Sequence, residues 1–331
     1  GIVVGVLVGG VLQLLVQIPP LLRRKLLVMP TMSWSSPAVK TTLLGMVPGL
    51  FTLAVYQVNI IVLRQLASYL SEGSVTYYYM SDRLMELTNG VFAIAIAQGA
   101  FTSMSGKAAT GDIDGLKEVW RFAFKLQNLV AIPAAIGLAL LAKPIVSVLF
   151  LHGKLTWPDV QQTGLCVLFA SPGLVATATI RGTAQVFYAL QDRVTPAIVS
   201  GVVVASNLGV GLLSMSLHLG IAGLSGTLAF SNLLQATLLV LLLRRKIGPL
   251  SFGKVLASAL VKLLLGAAAG GVAFAVSRLG DWPRGFTATN ALVLAIAIGG
   301  AGAVYGVGAV ALKLEGVDAV AGKIKRRLVR R

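Results

Sequence analysis

Apolar residues in this chain gather into long, nearly unbroken runs, unlike the alternating or one-faced patterns of a water-soluble fold. Nine runs stand out, at 1–18, 43–65, 75–101, 121–142, 160–187, 194–216, 221–243, 255–277 and 287–312. Each is near the length a helix needs to cross hydrocarbon, about 20 residues for roughly 30 Å. Amphipathic periodicity is weak in most of them, as expected where lipid surrounds the outer faces, and the two-residue alternation of a transmembrane barrel is absent. The predicted fold is all-α, a polytopic integral membrane bundle of about nine transmembrane helices. Two connections predict more than a loop. Residues 103–120, with Gly106, Gly111, Asp112, Asp114, Glu118 and Trp120, read as a short amphipathic stretch at the interface. Residues 143–158 hold an apolar stretch too short to span. Pro133, Pro172 and Pro196 are expected to kink or start helices. The opening Gly1-Ile2-Val3-Val4-Gly5 is already apolar, with no charged segment before it, so it reads as the inside of a helix and not as a signal peptide.

Composition agrees with the pattern. Of 331 residues, 56% are hydrophobic and 12% charged, with a mean hydropathy of +0.86, whereas a soluble chain carries about twice that share of charge. The 37 glycines suit helices that approach closely in lipid. A formal charge of +17 would suggest nucleic acid in a soluble protein. Here the cations cluster between apolar runs and at the C-terminus, so membrane lipids, not nucleic acid, are the expected partner. Nine spans put successive loops on alternating sides, and 22 of the 28 Lys and Arg then fall on one side. The other six are Arg64, Arg83, Lys143, Lys154, Arg278 and Arg284, with Arg83 inside a span. The positive-inside rule places the C-terminus in the cytoplasm.

Catalytic chemistry has little to work with. His152 and His218 fall in outer loops, Cys166 lies in an apolar run as a small packing residue, and no Cys/His cluster or Walker loop occurs. No catalytic residue, metal or cofactor is expected. The informative stretch is Tyr77-Tyr78-Tyr79-Met80-Ser81-Asp82-Arg83-Leu84-Met85-Glu86 in the third run. Three ionisable residues in one span are costly in hydrocarbon and should face a watered cavity or one another. Asp82 and Glu86 are i and i+4, Arg83 and Glu86 are i and i+3, and Tyr79 with Asn89 or Gly90 extends the same expected face. A self-neutralising structural cluster is the competing reading. Arg83 is singled out because a guanidinium grips phosphate through two parallel hydrogen bonds and stays charged at any reachable pH. Gln13, Gln57, Asn59, Asn128, Asn207, Asn232 and Gln235 are expected to be interhelical contacts, and Arg181 and Lys262 to snorkel toward the cytoplasmic surface.

Gly73-Ser74-Val75-Thr76 followed by Tyr79 and Asp82-Arg83-Leu84-Met85-Glu86 resembles a signature of the MurJ (MviN) lipid II flippases, within the multidrug/oligosaccharidyl-lipid/polysaccharide exporter superfamily. In the same order come Gly9-Gly10-Val11-Leu12-Gln13-Leu14 with Gln17 and Pro19, Leu149-Phe150 with Gly153-Lys154, and Phe187-Tyr188-Ala189-Leu190-Gln191-Asp192 with Thr195-Pro196. The likeness covers essentially the whole chain. It implies a two-lobed fold of fourteen helices, of which these nine resemble the sixth to the fourteenth. Residues 1–18 would end the N-terminal lobe and 19–42 form a cytoplasmic loop. Residues 43–243 would be the C-terminal lobe with the substrate cavity, 244–312 two last helices with a lipid-tail groove, and 313–331 a basic cytoplasmic tail.

The implied activity is translocation of lipid II, an undecaprenyl-diphosphate-linked disaccharide-pentapeptide, across the bacterial inner membrane, with cell-wall synthesis proteins as further partners. Arg83 would contact the diphosphate, Asp82 and Glu86 would shape or gate the cavity, and Tyr79 would join them in substrate binding. Glycines 266, 270, 271, 299, 300 and 302 would open the groove or serve packing. Two departures stand out. Thr88 and Thr102 replace prolines usual in the family, and relatives that use sodium hold it with acidic residues in two helices whose counterparts here, 43–65 and 194–216, contain none. Leu63 and Gly211 stand near those positions, which favours a cycle driven by the membrane potential on the substrate's own charge. Competing readings are a polysaccharide or drug exporter of the superfamily and a non-transporting scaffold for cell-wall synthesis.

Overall fold

The structure is a computed structural model that describes residues 2–23, 36–250 and 252–314. Half of the first basic loop, residues 24–35, and nearly all of the basic tail lie outside the described residues. Two compact units divide the chain, residues 1–47 and 48–331. In the first, helix α1 (Ile2–Arg23) carries Pro19 and Pro20 near its end and exposes Leu7, Val11, Leu14 and Val16 along its length.

The second unit holds most of α2 (Pro37–Ser68), then α3 (Ser74–Ala109), α4 (Ile113–Leu140), α5 (Ala142–Phe150), α6 (Trp157–Ala170), α7 (Pro172–Ala189), α8 (Val194–Ser216), α9 (Gly220–Ile247), α10 (Phe252–Ser277) and α11 (Ala288–Ala311). A single 3-10 turn at Trp282–Arg284 precedes α11, and the described residues contain no strand. The expected runs all recur as helices, and the run at 194–216 has the bounds of α8. Five described helices are long and apolar enough to cross a membrane outright, and six if α6 and α7 count as one span. That is fewer than the nine expected, and it is a count over the described residues alone.

Three local differences have physical causes. The run at 160–187 is not one rod: α6 ends at Ser171 and α7 restarts 43° away. Pro172 lacks the N–H that would continue the ladder, and the Ser171 hydroxyl bonds back to the Leu168 carbonyl at 2.8 Å. The interfacial stretch expected at 103–120 is instead the end of α3 and the start of α4, joined through a tight turn at Thr110–Asp112. At 1.5 Å per residue the 36 residues of α3 reach about 54 Å, well beyond hydrocarbon thickness, so this polar end needs no separate surface helix. The Asp112 carboxylate caps α4 by accepting from Gly115 N at 2.8 Å and also takes Lys107 at 2.8 Å. Finally, the short apolar stretch after Lys143 forms α5, which packs on α6 and donates from Ser147 to the Trp282 carbonyl at 2.5 Å.

Helices α3, α4, α7, α8 and α9 pack around a core of Trp120, Phe187, Leu239 and Leu243. Leu63, Tyr78, Cys166 and Leu224 form another, where Cys166 has the packing role expected of it. Helix α10 packs on α4 and α11. Lys262 does not snorkel to the surface as expected: it is 1% exposed, and its ammonium donates to the Lys125 carbonyl at 2.9 Å. Burial inside the bundle makes a backbone oxygen of α4 its nearest route to satisfaction. Gly266 and Gly270 face Ile136 of α4, so they serve packing, whereas Gly271, Gly299, Gly300 and Gly302 have nothing beside them.

Candidate functional site

Helix α3 begins at Gly73, whose φ of 88° favours glycine. A Cβ there would also stand 2.4 Å from the Tyr77 hydroxyl. That hydroxyl donates to Asp159 of α6 at 2.5 Å, so the first half of the Gly73–Glu86 signature builds a helix start and ties it to a neighbour. The helix then runs unbroken through Thr88, whose hydroxyl bonds to the Leu84 carbonyl at 2.9 Å.

Winding at about 100° per residue resolves the charged stretch into two adjoining stripes, not the single face expected. Tyr79, Arg83 and Glu86 form one; Tyr78, Asp82, Met85 and Asn89 form the other. The second stripe lines a cavity of about 680 Å³ within the second unit, and Glu86 reaches its edge. The first stripe is turned away: Tyr79 is 41% exposed and the Arg83 side chain 52%. Thus the cavity takes Asp82 and Glu86, while Tyr79 and Arg83 lie outside it, a correction to the view of one shared face.

The cavity wall is built from α2, α3, α7, α8 and α9, and its size suits a small-molecule site. Apolar Leu63, Leu174, Val203 and Leu239 alternate with Asn59, Gln98, Thr177, Arg181, Gln185, Asn232 and Gln235. Several of these amides were expected to join helices, and three do: Asn207 Nδ2 donates to Asn59 Oδ1 at 2.6 Å, Gln235 to Ser200 at 3.1 Å and Asn232 to Thr177 at 3.3 Å. Asn128 instead bonds the Phe124 carbonyl of its own helix at 2.9 Å, and Gln13 and Gln57 are exposed. Arg181, expected at the cytoplasmic surface, lines the cavity. No described carboxylate comes within salt-bridge distance of it. Its signal in the sequence is the spacing of Thr177, Arg181, Gln185 and Tyr188, which puts four polar groups on one face of α7.

Outside the cavity, Arg83 Nη1 pairs with Glu86 Oε2 at 2.6 Å, and the Arg83 guanidinium lies 4.9 Å from the centre of the Tyr79 ring. Arg64 of α2 lies 5.5 Å from the same ring. An exposed pair of this kind contributes little stability, so its cost or benefit must be sought in what it binds.

The motif from Phe187 to Pro196 is structural. Asp192 caps α8, accepting from Thr195 N at 3.0 Å and from its hydroxyl at 2.7 Å, and it also accepts from Lys246 at the end of α9. Of the two residues that the resemblance puts near the sodium positions, Leu63 is buried in the cavity wall and Gly211 abuts Leu66. Among the described residues no cluster of His, Cys, Asp or Glu is placed to hold a metal.

Residues 1–292 match the family model described as "Lipid II flippase MurJ". The chain belongs to the MurJ lipid II flippase family. A "Probable lipid II flippase MurJ" of Vibrio cholerae is 34% identical over 239 residues, covering 72% of this chain and 45% of that protein. One of Haemophilus influenzae is 32% identical over 243 residues, covering 71% and 47%. The chain therefore spans about half the length of the curated MurJ relatives it matches. A solved structure, "Lipid II flippase MurJ, inward closed conformation", aligns with a TM-score of 0.64 over 82% of this chain and 54% of that one, at 21% identity. It shares the all-α polytopic membrane fold.

Proposed function

We propose that this chain forms the cavity-bearing part of a lipid II flippase, which carries the undecaprenyl-diphosphate-linked peptidoglycan precursor from the inner to the outer leaflet of the bacterial inner membrane by alternating access. The observation that carries the reading is the charged stretch of α3, set between a polar cavity and an exposed cationic face, in a chain of the MurJ family. Intramembrane charge is expensive and marks a transport path more often than a joint. Arg83 takes a phosphoryl group through its fork, Tyr79 holds the guanidinium in place, and Asp82 and Glu86 shape the cavity and gate access to Arg83. Arg181 adds a cation from α7. The work is transport, so no bond of the substrate is made or broken.

In this reading residues 1–18 end the N-terminal lobe and 19–42 form a cytoplasmic loop. Residues 43–243 are the C-terminal lobe, 244–312 line a groove for the lipid tail, and 313–331 are a cytoplasmic tail. The cytoplasmic C-terminus is supported by the basic residues between the apolar runs, most of which the sequence pattern gathers on one side. With Leu63 and Gly211, and no acid, near the family's sodium positions, the membrane potential acting on the diphosphate drives the cycle.

The test replaces the matching segment of the Vibrio cholerae relative with this chain, in a bacterium depleted of its own flippase. Growth and outer-leaflet lipid II should return with the graft and fail with the same graft carrying Arg83→Ala. Failure of a well-expressed graft would point to another exported lipid-linked substrate. Rescue by both would remove Arg83 from transport and favour the scaffold reading.

A further inference from the structure

Gln127 is a buried amide that the transport reading leaves unused. It stands midway along α4 and is 2% exposed, and no described residue hydrogen-bonds to its Oε1 or its Nε2. Its room comes from α7, where a Cβ at Gly182 would fall 2.4 Å from Gln127 Oε1. The amide opens on a pocket of about 20 Å³ whose wall includes Thr88, Asn89 and Ile96 of α3, Val130 of α4 and Leu174 of α7. This pocket is distinct from the main cavity, but Asn89 and Leu174 line both.

Size and chemistry narrow what the pocket takes. A single water needs roughly 10–15 Å³ and two to four polar partners. Gln127 and Asn89 each offer amide donors and an acceptor. The Thr88 hydroxyl donates to the Leu84 carbonyl at 2.9 Å, which leaves its own lone pairs to accept. No charged residue is among those that line the pocket, so an ion would find no countercharge, and an apolar guest would leave the Gln127 amide at the full cost of a buried, unpartnered polar group.

The place in the fold gives the pocket a use. Thr88 lies two residues past Glu86, where the charged stretch of α3 ends. A threonine bonded back to the carbonyl four residues earlier loosens the helix ladder and often bends it, and a water set beside the ladder does the same. A direct bond from Gln127 to α3 would hold α3 and α4 in one register. A bridging water exchanges partners as the helices tilt, at little loss of bond strength.

We propose that this pocket binds one water, held by Gln127, Thr88 and Asn89, and that the water is the joint about which α3 bends against α4 and α7. The water site stands on the buried amide and the pocket; its use as a joint rests on the flippase reading above. Gln127 is a positioning residue, since it lies outside the cavity and acts through the water on α3.

The experiment uses the same graft in lipid nanodiscs, with Gln127→Met as a variant of similar shape and no amide. Under X-ray hydroxyl-radical footprinting, radicals form where water is bound, so Ile96 and Val130, which line the pocket and not the cavity, should be oxidised in the unsubstituted graft and several-fold less in Gln127→Met. The melting temperature of Gln127→Met should fall, whereas replacing an amide with no partner at all would raise it. Lipid II flipping should slow roughly fivefold, the size of one ordinary hydrogen bond, with affinity for lipid II unchanged. Unoxidised Ile96 and Val130 in the unsubstituted graft, or a rise in melting temperature, overturns the water site. Oxidation lost with the flipping rate unchanged overturns the joint. A graft that folds and is oxidised as expected but does not flip removes the flippase reading, and the joint with it, while the water site stands.

Discussion

The helices around the cavity and the α10–α11 pair solve the same packing problem with a different balance of means. Both use close glycines, such as Gly173 against Ala229 and Gly211 against Leu66, but the cavity helices add side-chain amide bonds. Around the cavity, side-chain amides and hydroxyls join α2 to α8, α8 to α9 and α7 to α9. At α10, glycines let the backbones close: a Cβ at Gly270 would fall 2.7 Å from Ile136 and 2.8 Å from Leu140 of α4. At Gly308 of α11 it would fall 2.4 Å from Leu265. In lipid, helices gain nothing from hiding apolar surface from one another, so hydrogen bonds and close approach are the available forces. Polar joints leave room that water and ligands can enter, and glycine joints leave a dry seam. The division explains why the cavity lies where it does, with Lys262 as the one polar tie observed from α10 to α4 among the described residues.

If that comparison is right, function and stability should separate cleanly. Arg83→Ala, on the exposed face beside the cavity, should abolish most lipid II flipping in the graft while the melting temperature hardly moves, because an exposed ion pair contributes little stability. A large drop in melting temperature would recast the trio as a structural joint. On the glycine side the reverse holds. Gly270→Val should cost roughly 2 kcal/mol of stability, since Ile136 and Leu140 must leave their rotamers. Gly300→Val, with open space around it, should stay within about 0.5 kcal/mol. Equal effects at the two positions would deny that α10 seats on α4 through its small residues.

How much of this was legible beforehand follows the same division. The long apolar runs announce the helices because a bilayer imposes a length. The bend at Ser171–Pro172 is half-readable, since the proline is visible but its 43° consequence depends on what α6 and α7 pack against. Asp82, Arg83, Glu86 and Tyr79 stand out by charge, yet their partition into two stripes needs the angle between α3 and its neighbours. Arg181 and Arg64 looked like ordinary loop-side cations. What gives them meaning is three-dimensional: α7 turns Arg181 toward the cavity, and α2 sets Arg64 against a ring fifteen positions along the chain. Lys262 follows the same rule, because a sequence shows a lysine within an apolar run and not the Lys125 carbonyl opposite it.

A smaller effect tests the polar joints themselves. Asn207→Leu removes the donor to Asn59 and leaves that amide unpaired in the cavity wall, which should cost about 1 kcal/mol. Asn59→Leu/Asn207→Leu should recover part of the loss, because an apolar pair leaves nothing unsatisfied. A double variant no better than the sum of the singles would mean the pair is not a joint.

A modest effect is predicted outside the apolar spans, at the cap that links α8 to α9. Burial alone would raise the Asp192 carboxyl, but hydrogen bonds from Lys246 and Thr195 outweigh it and hold the group below the ordinary carboxylate value. Because the folded value is the lower one, the unfolded chain takes up the proton first as the pH falls. The stabilisation is therefore complete above the ordinary value of about 4 and is lost as the pH drops from there through the lowered one. Asp192→Asn should cost about 0.5–1 kcal/mol at neutral pH. Melting temperatures of the two proteins should approach each other as the pH is lowered below about 4. A gap that stays constant across that range would mean that the carboxylate's charge does not stabilise the cap, and that geometry alone joins α8 to α9 there.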